Sequence, residues 1–380
     1  KAYLAHGLME IGAIYDGERG MRASGILNRK LGWEQSDQYD LGLDLDFLDY
    51  RIKFKFDYYY RYTKDKLWKV NLPSGGSFLG GFSKQWRNAM EVSNEGIEFE
   101  VTCDILRETK VTWRSKITAS RNWNRFEKSA DGFDFMEQVI GKPLHQIKVF
   151  KTDGFYNSLD EVPVYYLANK EVQPLYSGIT AGIYLPGSRR LVDLNGDGRI
   201  TEDADVYFAE SPLPLAHGGF INQLRWKNFD LNIFFNYSLG RHIVKVYDDV
   251  SMTANGSAKP LFVDVNDVKI WTEAGSKADY PKSQVYAYLM NQTSGRYDCD
   301  IENVSFLRLK QLTLGYNVGE RVLNKLKISG ARIFVTGENL FLLTNYSGLD
   351  PELVNPTQGV DNMGSYPLPR KFTVGLSVNF

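Results

Sequence analysis

The chain has 380 residues and a formal net charge of -1, with 43% hydrophobic, 24% charged and 14% aromatic residues, among them 23 Tyr and 22 Phe. So balanced a charge leaves no basic footprint and speaks against nucleic acid as a partner. A mean hydropathy of -0.34, with no run near the roughly 20 apolar residues of a spanning helix, speaks against a helical membrane protein. The length admits two domains or one large all-β unit. Cys103 and Cys299 stand in no metal or redox spacing, and no disulfide is expected between them.

Residues 1–34 lack sustained periodicity and are predicted to be loop. QYDLGLDLDF then starts a strand, with Tyr39, Leu41, Leu43, Leu45 and Phe47 on one face and Asp40, Asp44 and Asp46 on the other. A tight turn at 47–49 leads into a return strand at 50–62. It sets Tyr50, Ile52, Phe54, Phe56, Tyr58, Tyr60 and Tyr62 against Arg51, Lys53, Lys55, Asp57, Tyr59 and Arg61. Acid on one strand faces base on the next, which supports the pairing if both polar faces line a wet passage.

A Gly- and Ser-rich loop (LPSGGSFLGG) is expected next. A second hairpin follows, with Ile97, Phe99, Val101 and Cys103 opposed to Glu98, Glu100, Thr102 and Asp104. After a turn at 106–110, Val111, Trp113, Ile117, Ala119 and Trp123 oppose Thr112, Arg114, Lys116, Thr118 and Asn122. The mixed segment from about 125 to 216 is far longer than an ordinary connection. A hairpin at 218–244 turns at Lys227 and Asn228, and another long loop follows. In the strand at 303–318 the apolar phase shifts after Leu309, predicting a bulge near Lys310. GARIFVTGENLFLLT, a loop at 345–368 and the final RKFTVGLSVNF complete the series. In the last strand Phe372, Val374, Leu376, Val378 and Phe380 share one face.

About nine strands result, joined alternately by short and very long connections. That asymmetry suits an antiparallel transmembrane β-barrel with periplasmic turns and extracellular loops. Nine is an odd number, and bacterial barrels have even ones, so further strands are expected upstream. Export of a barrel also needs a signal segment and none stands here, so either that segment has been removed or, as the favoured expectation, the chain begins part-way through a longer protein. The alternative on the same pattern is a soluble, calcium-stabilised β-sandwich that binds or processes carbohydrate.

One stretch carries a chemical motif. In DLNGDGRITEDAD, Asp193, Asn195 and Asp197 precede Gly198, and the carbonyl of Arg199 follows. This is the first half of a calcium loop, with oxygen ligands at alternate positions and a glycine at the sharp turn. The twelfth position is Ala204, and acids flank it at Asp203 and Asp205. A structural Ca2+ that stiffens an outer loop is one reading; a solvated Asx turn is the other. His6, His145, His217 and His242 have no ligand spacing, and no catalytic constellation is evident.

Several segments together resemble the SusC/RagA family of TonB-dependent outer-membrane transporters, in order from residue 31 to 380. They are LGWEQSDQYDLGLDLDFLDYRIKFKFDYYYRYTKDKLW, NAMEVSNEGIEFEVT, DLNGDGRI, FDLNIFFNYSLG, VSFLRLKQLTLGYNV, ARIFVTGENLFLLTNYSGLDPE and SYPLPRKFTVGLSVNF. The resemblance implies that residues 1–380 form the C-terminal part of a barrel of about 22 strands, with the plug domain and TonB-contacting segment outside these residues. It implies an integral outer-membrane location and non-enzymatic import of large nutrients, usually oligosaccharides and sometimes peptides. The implied partners are a SusD-like surface lipoprotein and TonB, reached through the absent N-terminal part. Phe380 resembles the terminal signal read by barrel-assembly machinery, and Ala204 departs from the family's usual loop. On this reading Arg51, Lys53, Glu98, Glu100, Arg114 and Lys116 face the lumen. Trp86, Tyr156, Tyr165, Tyr166, Tyr176, Trp271 and Tyr297 are candidates to stack on sugars from the loops.

Overall fold

The computed structural model describes residues 9–15, 18–23, 25–72, 84–135, 138–166, 172–177, 182–245, 269–282, 296–354, 359–361 and 365–380. One sheet holds nine long strands: β1 (Gln35–Phe47), β2 (Ile52–Asn71), β3 (Lys84–Leu106), β4 (Val111–Ser129), β5 (Ala216–Trp226), β6 (Phe229–Leu239), β7 (Phe306–Asn317), β8 (Gly330–Thr344) and β9 (Lys371–Asn379). The chain divides into two compact units, residues 1–144 with 216–232 and residues 145–215 with 233–380. Antiparallel pairing runs β1-β2-β3-β4-β5 in the first unit and β7-β8-β9 in the second.

Period-two sequence becomes cross-strand rows. In the first unit one face carries Leu45, Phe54, Val101, Ile117 and Phe220 in register, and beside it Leu43, Phe56, Phe99 and Ala119. In the second, Leu314, Val335 and Val374 form one row and Tyr316, Ile333 and Leu376 another. The pairing shifts between Leu309 and Gln311. This is the bulge expected at Lys310, and it returns Leu312 and Leu314 to the face of Leu307 and Leu309.

These apolar rows are uncovered. Phe372, Val374 and Leu376 are 71%, 74% and 67% exposed, and Leu41, Leu43, Ile333, Val335, Phe341 and Leu343 are exposed as well. In water each such side chain would forgo about 1.5–3 kcal/mol of burial, whereas hydrocarbon recovers it. A sandwich would have covered this face with a second sheet. The buried apolar clusters lie elsewhere. Phe150, Tyr156, Val162, Leu175, Tyr184, Leu191 and Ile200 form one within residues 145–215, and Met90, Val92 and Phe126 form another with Phe135, Ile140 and Leu144.

Several boundaries depart from the sequence expectation. Residues 1–34 are not all loop, because Met9–Tyr15 pairs with Glu18–Ala23 as a two-stranded ribbon. The return strand begins at Ile52 and runs to Asn71, and its partner starts at Lys84, so much of the expected loop is strand. A register shift between Thr63 and Lys66, with Asp65 at φ 54, changes the phase there and hides the extension from period counting. LPSGGSFLGG lies, from residue 73 onward, outside the described residues. The turn after β7 contains a short helix, Glu320–Leu326, closed by Lys327 in the left-handed region at φ 55.

The exposed rows predict a depth-dependent penalty for charge. In the full-length protein refolded into lipid vesicles, Val374→Arg is expected to cost about 2–4 kcal/mol. Thr373→Arg, on the opposite face, should cost under about 1 kcal/mol. Guanidinium unfolding measures both, and equal losses would contradict the assignment of faces.

Candidate functional site

The polar face of the first unit is a ladder of charge. Asp46 pairs in register with Lys53 and Asp44 with Lys55; Lys55 stands opposite Glu100, Asp57 opposite Glu98, and Lys53 opposite Thr102 beside Lys116. Lys116 reaches Glu100 at 2.8 Å, and the Arg114 guanidinium takes both oxygens of Asp104 at 2.6 and 3.0 Å. Lys53, Glu98, Glu100, Arg114 and Lys116 therefore share one face of the sheet, opposite the apolar rows. Exposed pairs of this kind contribute only about 0.2–1 kcal/mol each, so their density is a property of the wall more than a source of stability.

Arg51 is placed differently. It sits in the turn after Leu48, Asp49 and Tyr50, all at positive φ, and its guanidinium donates to the carbonyls of Asp104 and Ile105 at 2.8 and 2.6 Å. It ties two hairpin ends together and is not on the ladder. Like-charged Asp57 and Glu98 directly opposite each other were not anticipated, because period counting assigns faces and not registers.

Within residues 145–215 the acidic loop is drawn around backbone amides. Asp193 accepts from Gly196 at 2.7 Å and Gly198 at 2.8 Å, Asn195 accepts from Asp197 at 3.1 Å, and Asp197 accepts from Arg199 at 2.8 Å. Ile200 is fully buried in the cluster around Tyr156 and anchors the loop's far side. Asp205 is also fully buried; its two oxygens accept from Leu194 at 2.8 Å and Thr201 at 2.7 Å. Asp203 is exposed. Among the described residues no three His, Cys, Asp or Glu side chains converge as metal ligands.

Burial removes two of the stacking candidates, and contacts within the chain engage others. Tyr156 is 0% exposed and Trp271 is 6% exposed, the latter with its ring against Gly187 and the Lys282 ammonium 5.9 Å from its centroid. Tyr297 packs against the core cluster. Tyr165 lies over Gly198 and hydrogen-bonds Asp193, so it clamps the acidic loop. Trp86 is on β3, opposite Lys69, whose ammonium lies 5.5 Å from its ring. Tyr166 remains open, at 81% exposure. Tyr176 falls on the two-residue strand Tyr176–Ser177.

Two buried arginines escaped sequence reasoning. Arg308 on β7 meets Asp350 at 2.5 Å, and Asp350 also accepts the amides of Glu352 at 3.0 Å and Leu368 at 3.2 Å. Arg241 donates to the carbonyls of Pro212 at 2.9 Å, Pro351 at 3.3 Å and Val354. Together they pin the segment after β8. Nothing local signals a partner so far along the chain.

Two outcomes follow. Asp350→Ala leaves the buried Arg308 with Glu352, 2.8 Å away, as its remaining anion and frees the amides of Glu352 and Leu368, at an expected cost of about 1–3 kcal/mol, read as lost hydrogen-exchange protection around Leu368; unchanged protection would refute the clamp. Burial pushes the Asp193 carboxyl up, but the Gly198 amide, the Tyr165 hydroxyl and the Gly196 and Asp197 amides outweigh it and hold the carboxyl below its ordinary range. A depressed carboxyl stabilises above its unfolded value and loses that contribution as pH falls. Proteolysis within 193–205 should therefore accelerate below about pH 4, and Asp193→Asn should remove that dependence.

Residues 10–255 match the TonB dependent receptor-like, beta-barrel family. TonB-dependent receptor P3 of Formosa agariphila is 33% identical over 377 residues, covering 95% of this chain and 36% of that protein. TonB-dependent receptor SusC of Bacteroides thetaiotaomicron is 29% identical over 355 residues, covering 93% of this chain and 32% of that protein. The RagAB peptide transporter structure superposes on the whole chain with a TM-score of 0.74 at 23% identity, and the chain covers 39% of it. This chain thus spans about a third of the length of the relatives it matches. With the exposed apolar rows on one face of its sheet and the charge ladder on the other, the chain belongs to the β-barrel family of TonB-dependent outer-membrane receptors.

Proposed function

We propose that this chain supplies part of the wall and outer loops of a TonB-driven importer of large nutrients, working with a SusD-like surface lipoprotein and carrying no catalytic step. The charge ladder opposite an uncovered apolar face carries the reading. Lys53, Lys55, Asp57, Glu98, Glu100 and Lys116 present hydrogen-bonding groups to a wet passage while the reverse side is apolar. The structured segment 145–215, with its own core, suits a loop that must hold its shape outside the membrane. Oligosaccharide is the first cargo reading, in keeping with the resemblance to the SusC branch. Peptide is the second, favoured by the burial of Tyr156 and Trp271, which removes two sugar platforms, and by the dense charge on the wall.

We propose further that the acidic loop takes Ca2+ through Asp193, Asn195, Asp197 and the carbonyl of Arg199, with Asp203 or Asp205 as the distal acid. Its support is the donor chemistry around Gly198. The ion's role would be to stiffen the loop.

Growth of the parent bacterium with and without the gene, on separate glycans and peptides, tests the importer. Loss on glycans alone supports the first cargo, loss on peptides alone the second, and no loss on any substrate sinks the proposal. For the metal, calorimetry on the full-length protein should show Ca2+ binding that disappears in Asp193→Ala plus Asp197→Ala; absence of heat in the unmodified protein would remove the site.

A further inference from the structure

We infer that the loop-side end of β4 binds the phosphate of an outer-leaflet lipid headgroup through Arg121 and Arg125. The cross-strand registers set the height. On the apolar face the successive rows are Phe47, Ile52 and Cys103; then Leu45, Phe54, Val101 and Ile117; then Leu43, Phe56, Phe99 and Ala119; then Leu41, Tyr58, Ile97 and Arg121. From Phe47 to Leu41 is six residues, roughly 20 Å along a strand. The hydrocarbon-facing band of such barrels is about 25 Å tall and bounded by aromatic girdles. A tilt of about 35–45° shortens that to about 15 Å of height, so Arg121 stands in the upper part of the band, and the ring-bearing row directly above it, with Tyr39, Tyr60 and Trp123, marks the band's margin.

The next rows leave hydrocarbon. Tyr39, Tyr60, Glu95 and Trp123 are in register, followed by Asp37, Tyr62, Ser93 and Arg125. With Tyr58 below them, the rings form the girdle, and the arginines sit within and just beyond it. This is the end of the sheet away from the short turns after β1 and β3, so it faces outward in a barrel whose short turns are periplasmic.

The carboxylates of this corner already have donors. Glu91 accepts from Tyr62 at 2.6 Å and Lys128 at 3.1 Å, Asp37 from Lys64 at 3.1 Å, Glu95 from Tyr58 at 3.4 Å, and Glu127 from Ser93. The Arg121 guanidinium carbon lies 4.6 Å from the Trp123 ring centroid. Stacking of that kind fixes the planar group and leaves its N–H edges to a ligand. Arg125 is exposed and has no protein partner among the described residues. A guanidinium beside the acyl region, held on an indole and in no ion pair with these carboxylates, fits a phosphate oxygen better than water. The bilayer surface is continuous with the band below it, which favours a lipid over a soluble anion.

The full-length protein in mild detergent provides the test, with purified lipopolysaccharide as the probe beside the same material stripped of phosphate. The unmodified protein should bind the phosphorylated form at least about tenfold more tightly, equivalent to about 1.4 kcal/mol. R121A/R125A should lose that preference while keeping the heat-shifted gel mobility of a folded barrel. Should the alanine variant fail to assemble, R121Q/R125Q is read in the same way. A preference retained by the variant, or none in the unmodified protein, overturns the inference. Competition by inorganic phosphate at concentrations equal to the lipid would overturn the lipid as ligand. The readout is independent of transport, so it stands or falls separately from the importer.

Discussion

The structure depends on one constraint: backbone polar groups placed in hydrocarbon must be satisfied by the chain itself. Paired strands do this while turning alternate side chains to opposite sides. That geometry lets one stretch such as Lys371–Asn379 present Phe372, Val374 and Leu376 to lipid and Thr373 and Ser377 to water. The apolar face then needs no covering layer. The largest apolar side chains of the sheet are accordingly among its most exposed, while the buried clusters belong to the connecting segments and strand ends.

Charge is used differently in the two environments. On the wet face of β1 to β4, acids and bases alternate in half-exposed pairs that add little stability and keep the wall hydrated. At strand ends and in the connections, the same chemistry is buried and structural. Arg308 with Asp350, and Arg241 with three backbone carbonyls, help hold the segment after β8, whose Tyr346 and Val354 also pack in a buried cluster with Ile243 and Val304. Asp205, with both oxygens on amides, does the same within a shorter loop. The acidic loop thus has a scaffold of its own hydrogen bonds, with Ile200 set into the apolar cluster beneath.

Much of the sheet was legible from alternation alone. The hairpin turning at Lys227 and Asn228, the stretch Gly330–Thr344, the final strand and the bulge at Lys310 all stand where period two places them. The shared face of Lys53, Glu98, Glu100, Arg114 and Lys116 was legible for the same reason. What alternation missed are places where phase breaks: the bulge at Asp65 concealed the length of β2, and glycines at 12 and 17 disguised the ribbon at Met9–Ala23. The fate of the aromatic loop residues was not legible either. A Tyr or Trp in a connection has the same local signature whether it stands free like Tyr166 or fills a core like Tyr156.

By itself the amino-acid sequence determined the strand pattern, the two-faced sheet, the asymmetry of connections and the oxygen-rich loop, because each follows from spacing between near neighbours. Only the tertiary structure decided that the apolar face stays bare, that Arg51 bridges hairpin ends, that Trp271 is buried, and that Arg308 finds Asp350. Those outcomes rest on meetings between residues tens of positions apart, and no local periodicity encodes which distant partner a side chain will reach.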